Sequence, residues 1–263
     1  MDDDELGMLA DTLHKTMSAA AAAEKPNVDD ALSELGWLEM LDEIPNEASA
    51  VVFRLLGETG THAGVLNDVV LHAAGRPGGA TVPLPFTGGR WVIWERADAT
   101  GSAVDGELPI HTTAGGDQVP LAAGRRALGW WLAGSSRAML SLARQHALDR
   151  VQFGRPIASF QAVRHRLAET LVAIEGAEAT LRAATDDLAC LLAKAAAGQA
   201  ALTAARHCQQ VMGGIGFTAE HDLHRHVKRV MVLDGLLGSS RDLTREAGAT
   251  IRSLGRAPRL ANL

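Results

Sequence analysis

The stretch 146–161, His-Ala-Leu-Asp-Arg-Val-Gln-Phe-Gly-Arg-Pro-Ile-Ala-Ser-Phe-Gln, decides how the chain is read. A long segment of helical apolar periodicity runs into it, a Gly-Arg-Pro break interrupts it, and a second helical segment leaves from Phe160. Pro156 cannot sit inside a helix and Gly154 is a natural helix stop, so the break predicts a sharp turn between two helices. Arg150, Gln152 and Phe153 stand just before it. A guanidinium fork can hold a phosphate through paired hydrogen bonds, an amide can bond a base or ribose, and a phenyl ring offers an aromatic wall. Taken alone, these residues more readily describe an ordinary helix corner with a surface arginine.

Working outward, Ala123 to Leu148 places Leu128, Trp131, Leu132, Ser135, Met139, Leu142 and His146 on one helical stripe. Gly129, Gly134 and Ser135-Ser136 allow a close helix neighbour, although each glycine costs about 1 kcal/mol against alanine. The next helix runs from about Ser159 to Leu188, its stripe marked by Val163, Leu167, Thr170, Ile174, Ala177 and Leu181. Asp186-Asp187 need not stop the helical composition, which continues through Ala205 to Gln210, with Gly198 as a flex point, and ends at Gly213-Gly214. A fourth segment, Glu220 to Gly248, is interrupted at Gly235 and Gly238 and resumes at Ser240. Four such segments predict an antiparallel four-helix bundle over 121–263.

The other direction is shorter and less regular. Residues 80–120 read as short strands, Thr81 to Pro85, Arg90 to Glu95 and Pro109 to Thr113, between Gly-rich turns. Trp91, Ile93 and Glu95 share one face and Val92 and Trp94 the other, so one face is expected to be covered. Residues 25–79 predict about three helices. One is capped by Asp29/Asp30 and carries Leu32, Leu35, Trp37, Leu38 and Leu41. After the break at Pro45 come a second ending near Gly57 and a third from Gly64 to His72. Residues 1–24 are acidic and then Ala-rich, with no amphipathic pattern strong enough to place them in a core, and their order is left open.

A chain of 263 residues can bury a sizeable core. A formal net charge of −6 gives no case for binding nucleic acid or an anionic membrane. No apolar run is read as long enough to span a bilayer, and the acidic start Met-Asp-Asp-Asp-Glu is unlike a signal peptide, which points to the cytoplasm. The two cysteines, Cys190 and Cys208, lack metal-site spacing and read as buried thiols. His221, His224 and His226, with Arg225, Lys228 and Arg229, read as a solvated basic helix face that can touch phosphates, and no metal set is expected.

Two motifs together carry a family resemblance. Arg150-Val-Gln-Phe-Gly-Arg-Pro-Ile157, followed by Phe160-Gln161 and Val163 to Glu169, resembles a signature of the acyl-CoA dehydrogenase flavoproteins. Gln210-Val-Met-Gly-Gly-Ile-Gly-Phe217 resembles that family's second signature, although a Gly-Gly-x-Gly turn taken alone describes a helix cap equally well. The resemblance is strong over 123–245, weak over 30–75 and hardly visible over 76–120. It implies a mainly α, acyl-CoA dehydrogenase-like fold with a C-terminal four-helix bundle, a truncated N-terminal helical domain and a much reduced β middle domain. It further implies FAD, with Arg150 on the pyrophosphate, Phe153 near the adenine side, Gln152 assisting, and Gln210, Gly213 and Gly214 lining the cleft. In the family these residues reach a flavin whose ring sits in a neighbouring subunit.

The reaction the resemblance implies removes a proton from the α-carbon of an acyl-CoA while the flavin takes a hydride from the β-carbon, so a carboxylate base is needed. Most of the family places its Glu before a Gly-Thr-Ser-like step, which falls here at Gly238-Ser239-Ser240, so the base position holds Leu237. A minority places it before an Arg at the start of the first C-terminal helix, and here Gly124 precedes Arg125. No catalytic residue is therefore expected. The chain resembles the short, base-lacking subunit of heterotetrameric (α2β2) actinobacterial enzymes acting on bulky, steroid-derived acyl-CoAs. It would share FAD with a larger catalytic subunit that passes electrons to an acceptor such as electron-transfer flavoprotein. The competing readings are a flavin-free homodimeric scaffold and a self-sufficient enzyme using Asp234 as base.

Overall fold

A computed structural model of the chain describes residues 3–22, 27–96 and 105–256. The remainder, including the ends of the expected N-terminal segment and bundle domain, lies outside the described residues. Among the described residues five helices precede a small sheet: α1 (Asp3–Ala21), α2 (Val28–Glu34), α3 (Trp37–Glu43), α4 (Pro45–Thr59) and α5 (Leu66–Ala73). The single helix expected around Trp37 is two. Asn27, not Asp29 or Asp30, caps α2 by accepting a 3.0 Å hydrogen bond from the Asp30 amide, and Gly36 at φ 76° separates α2 from α3. Pro45 occupies the first turn of α4, where its missing N–H costs nothing. Helix α1 also departs from expectation, because Leu13 and Met17 are fully buried where no core residue was foreseen.

Strands β1 (Leu84–Phe86), β2 (Arg90–Trp94) and β3 (Ile110–Thr113) form an antiparallel sheet in that order. Val92 and Trp94 are its covered face, and the Trp94 ring lies 5.4 Å from Trp131 on α6 (Ala122–Asp149). Polar ties fix the sheet to the helices before it. The Asn67 amide donates to the Trp94 carbonyl at 3.0 Å, and buried Asp68 accepts from Trp37 Nε1 at 3.0 Å and Arg96 Nη2 at 2.5 Å. Asp29 accepts twice from the Gly64 amide, and burial raises its pKa above the ordinary carboxylate value.

Helix α6 runs alongside α4, and glycine makes this possible. A Cβ on Gly134 would collide with the Arg54 carbonyl, and one on Gly57 with the Trp131 carbonyl. Beyond α6 lie a two-residue-stranded hairpin, β4 (Val151–Gln152) with β5 (Arg155–Pro156), then α7 (Gln161–Ala183), α8 (Asp187–Met212), α9 (Leu223–Gly235) and α10 (Ser240–Leu254). The expected run through Asp186-Asp187 is broken: α7 ends at Ala183, and Asp186 caps α8 by accepting from the Ala189 amide at 2.8 Å. Gly198 is no flex point either; it is a packing site against Asp234.

The span Asp187–Phe217 is long and apolar enough by length and composition to cross a bilayer, contrary to the sequence expectation. Most of it is buried inside the protein, as the central helix packed by α6, α7, α9 and α10. It also holds a fully buried charged side chain, Lys194. Cys190 and Cys208 lie on the same helix as buried free thiols, and burial pushes the Cys208 pKa up to about 12.

Candidate functional site

Helices α6 and α8 pack directly on each other and run parallel, and α7 returns antiparallel to both, so the C-terminal ends of α6 and α8 and the start of α7 share one end of the bundle. Thr170 on α7 and His207 on α8 mark the meeting, with Oγ1 2.9 Å from Nδ1. Both signature motifs sit at this end. No hydrogen bond joins them among the described residues, and they are related by placement rather than contact.

Arg150 is the C-cap of α6, where the chain turns extended, and its carbonyl accepts from the Ile157 amide at 2.8 Å to close the hairpin. The turn is formed by Phe153 at φ 54° and Gly154 at φ 77°. Gly154 is thus a turn residue rather than a helix stop, and Phe153 lies in the turn rather than before it. A left-handed conformation costs a non-glycine residue roughly 1–2 kcal/mol. Phe153 bears that strain with its side chain 91% exposed, touching Phe160 edge-on at 6.1 Å between ring centres. Arg155 lies over the Phe160 ring at 4.4 Å. Arg150, Gln152 and Arg155 are exposed. No hydrogen bond or ion pair holds the Arg150 guanidinium to another described residue, although with buried surroundings and His221 it helps lower the His146 pKa.

Gln210 is exposed in the last turn of α8, and Gly213 ends that helix at φ 64°, ψ −139°. Gly214 is exposed, with open space where a Cβ would point. Free donors on Arg150, Gln152 and Gln210, an aromatic ring and an unobstructed glycine backbone suit one side of a dinucleotide. Gly116, in the Thr112-Thr113-Ala-Gly-Gly116 segment of the sheet region, is committed to packing rather than to a ligand, since a Cβ there would lie 2.5 Å from Pro83 Cβ.

The two positions where a base was sought come together. Leu237 is 1% exposed at φ 56° and its Cδ1 lies 2.9 Å from where a Cβ on Gly124 would stand, as does Val70 Cγ2 from α5. The Leu237 amide donates to the Pro85 carbonyl at 2.8 Å, and Arg125 Nε donates to the Leu237 carbonyl at 3.2 Å. Apolar side chains thus fill the space over Gly124. Asp234, the fallback base, is 9% exposed; its Oδ1 accepts from the Ser240 amide at 3.0 Å to start α10 and faces Gly198. That carboxylate serves the fold. Beside it Lys194 Nζ donates to the carbonyls of Asp234 and Gly238 at 2.5 Å each, and burial brings its pKa down to about 7. Lys194 was missed from sequence, although a single lysine within the Ala-rich stretch Leu188 to Ala205 was the available signal.

The histidine-rich face is solvated only in part: Arg225 and Lys228 are exposed as expected, whereas His226 and Arg229 are buried. His226 is buried against Gly60, and Arg229 is 2% exposed, donating to Asp105 Oδ2 at 2.6 Å, Glu107 Oε2 at 2.9 Å and the Thr61 carbonyl at 2.7 Å. His221 Nδ1 accepts from the Leu223 amide at 3.1 Å, tying it to the start of α9. Among the described residues, no group of three His, Cys, Asp or Glu could hold a metal ion.

Residues 117–247 match the family model for the acyl-CoA dehydrogenase C-terminal domain. Over 116 residues the chain is 42% identical to acyl-CoA dehydrogenase IpdE2 of Mycobacterium tuberculosis, covering 43% of this chain and 36% of that protein. The chain therefore spans well under two thirds of that relative. In fold it is similar to a variant of the Tcur3481-Tcur3483 steroid ACAD, at TM-score 0.70 and 20% identity over 96% of this chain and 98% of that one. It is similar also to the ChsE4-ChsE5 complex from Mycobacterium tuberculosis, at TM-score 0.69 and 20% identity over 98% and 99%. With both signatures at one end of this bundle, the chain belongs to the acyl-CoA dehydrogenase family.

Proposed function

We propose that this chain is a base-lacking subunit of an FAD-dependent acyl-CoA dehydrogenase complex, completing the adenosine and pyrophosphate side of a flavin site whose ring pocket belongs to a larger partner. The observation that carries the reading is a contrast. The base positions Gly124 and Leu237 are apolar and packed shut, whereas Arg150, Gln152, Phe153, Gln210 and Gly214 are exposed and unspent. The likeness to structures described as a steroid ACAD and as a ChsE4-ChsE5 complex supports a heteromer and a steroid-derived acyl-CoA, and the α2β2 arrangement is what the family resemblance implies.

In such a complex FAD would supply the hydride acceptor for α,β-dehydrogenation of the thioester, with an external protein such as electron-transfer flavoprotein as the final electron acceptor. Arg150 binds the pyrophosphate through its free fork, Gln152 and Gln210 donate to the adenosine half, Phe153 packs on its adenine side, and Gly213-Gly214 lets backbone approach. The α-proton is taken by the partner's carboxylate.

The test is the visible absorbance spectrum of the chain purified alone and after co-expression with a full-length family member retaining the Glu. Flavin present only in the complex, and reduced on Arg150→Ala, is the expected result. Stoichiometric flavin on the lone chain would overturn the shared site, and a colourless complex would favour a flavin-free scaffold.

A further inference from the structure

The first turns of α4 and α6 border a cavity of about 40 Å³, closed on its other sides by α3 and α5. Such a space holds roughly one or two water-sized groups. Its polar lining is Asn46 and Ser49 from α4, His72 from α5, and Arg126 and Trp130 from α6. Trp130 is 7% exposed, and its Nε1 has no hydrogen-bond partner among the described residues. Ser49, 8% exposed, also spends its hydroxyl on none of them. Arg126 donates Nε to the Leu181 carbonyl at 3.2 Å and Nη1 to Asn46 Oδ1, which leaves its Nη2 and the Asn46 Nδ2 unspent.

The charges around the cavity agree with this excess of donors. Neither α4 nor α6 has a side-chain cap, and α6 has no acidic residue in its first turn. Uncapped amides at two helix starts leave partial positive charge, and Arg126 adds a full one. No carboxylate lines the cavity among the described residues. The acids of the adjoining turns stand outside it. Glu47 is exposed, Asp42 Oδ1 meets His72 Nε2 at 3.3 Å with its side chain largely in solvent, and Asp68 is taken up by Trp37, Arg96 and Gly79.

We infer that this cavity is a binding site for a small monovalent anion, a halide or a carboxylate group of similar size. Water fits the volume but must place two hydrogens of its own, and the lining offers donors with almost no free acceptor. An anion accepts from Trp130 Nε1, Ser49 Oγ and Arg126 Nη2 together, and such charge-assisted bonds are roughly twice as strong as neutral ones. None of these residues belongs to the signature motifs, so the inference stands apart from the flavin reading. Its consequence is mechanical. Ala123 and Val69 line the cavity, and their chain neighbours Gly124 and Val70 meet at the filled base position, so a bound anion braces that closure.

The test uses the full chain exchanged into potassium gluconate, whose anion is too large for the cavity, with chloride added at constant ionic strength. Chloride NMR line widths should show protein-dependent broadening that saturates, and the urea midpoint should rise over the same range. Trp130→Phe keeps an aromatic wall and removes the N–H donor, and Arg126→Gln removes the charge. Each should weaken chloride binding by about tenfold. Formate that strips the broadening competitively shows that carboxylates share the site, and broadening that survives formate confines it to halides. Broadening that never saturates, or that saturates identically in both variants, means that water alone occupies the cavity and overturns the inference. Circular dichroism in gluconate verifies folding of both variants, and Ser49→Ala, which removes only a hydroxyl, stands in for Arg126→Gln if that variant unfolds.

Discussion

Leu237 closes over Gly124: its Cδ1 stands 2.9 Å from where a β-carbon on that glycine would be. The two places a carboxylate base could come from are therefore neighbours, and neither residue can simply be exchanged for one. Leu237→Glu puts a charge against Val70 and the Gly124 helix turn, at a residue already in left-handed backbone. The expected outcome is no gain of dehydrogenase activity in the chain or the complex. A stability loss of roughly 2 kcal/mol or more should accompany it, read from urea midpoints. Activity appearing in the lone variant would show that the pocket is not filled in solution.

Close backbone contact is the second liability. Gly134→Ala gains helix propensity of about 1 kcal/mol but drives a methyl into the Arg54 carbonyl, a rigid neighbour. The clash should win, with a net destabilisation of about 1–3 kcal/mol by chemical denaturation. A neutral or stabilising result would mean that α4 and α6 stand farther apart than described.

Arg229 is the side chain on which α9, the Gly60–Thr61 turn and the Asp105–Glu107 loop converge. Arg229→Met removes one charge and leaves the Asp105 carboxylate buried, so a loss of roughly 3–5 kcal/mol is expected. Arg182, an exposed arginine paired at i, i+4 with Glu178, provides the control. Arg182→Met should cost well under about 1 kcal/mol.

Two imidazoles beside Arg229 give the chain an acid limit. Burial, aided by Arg229, brings the pKa of both His62 and His226 down to about 4 from an ordinary 6.5. The unfolded chain then binds more protons than the folded one between these values. The stability they contribute is full above about 6.5 and is lost as pH falls through about 4. Within that window the slope approaches 2.7 kcal/mol per pH unit at most, for two groups at about 1.36 each. Urea midpoints at several pH values should fall steeply for the wild type and less steeply for His62→Gln/His226→Gln.

Much of this was legible in the sequence, for identifiable reasons. The stripes of Leu128, Met139, Ile174 and Leu181 are long enough to fix helices, and all four side chains are buried. The strands were visible because Val92 and Trp94 alternate with Trp91 and Ile93. What failed were boundaries and pairings set by single polar groups. Asp186 ends one helix and starts another by capping an amide, an act its composition does not distinguish from a helical aspartate. Gly36 splits a helix whose apolar pattern continues through the break. Arg229 looked solvated because its carboxylate partners come from more than a hundred residues away. The signature residues were legible by kind, but their shared exposure at one end of the bundle is a tertiary fact.

The rings of Trp37, Phe53, Trp131 and Trp94 form a continuous column, with successive centres 6.4, 5.7 and 5.4 Å apart, from α3 through α4 and α6 to β2. Indoles as close as Trp94 and Trp131 couple their electronic transitions, so the near-ultraviolet circular dichroism of this protein carries an optical signature of the sheet seated on the bundle. The column thereby serves as a built-in spectroscopic gauge. A lifting of the sheet while the helices persist would erase the aromatic bands and leave the far-ultraviolet spectrum nearly intact.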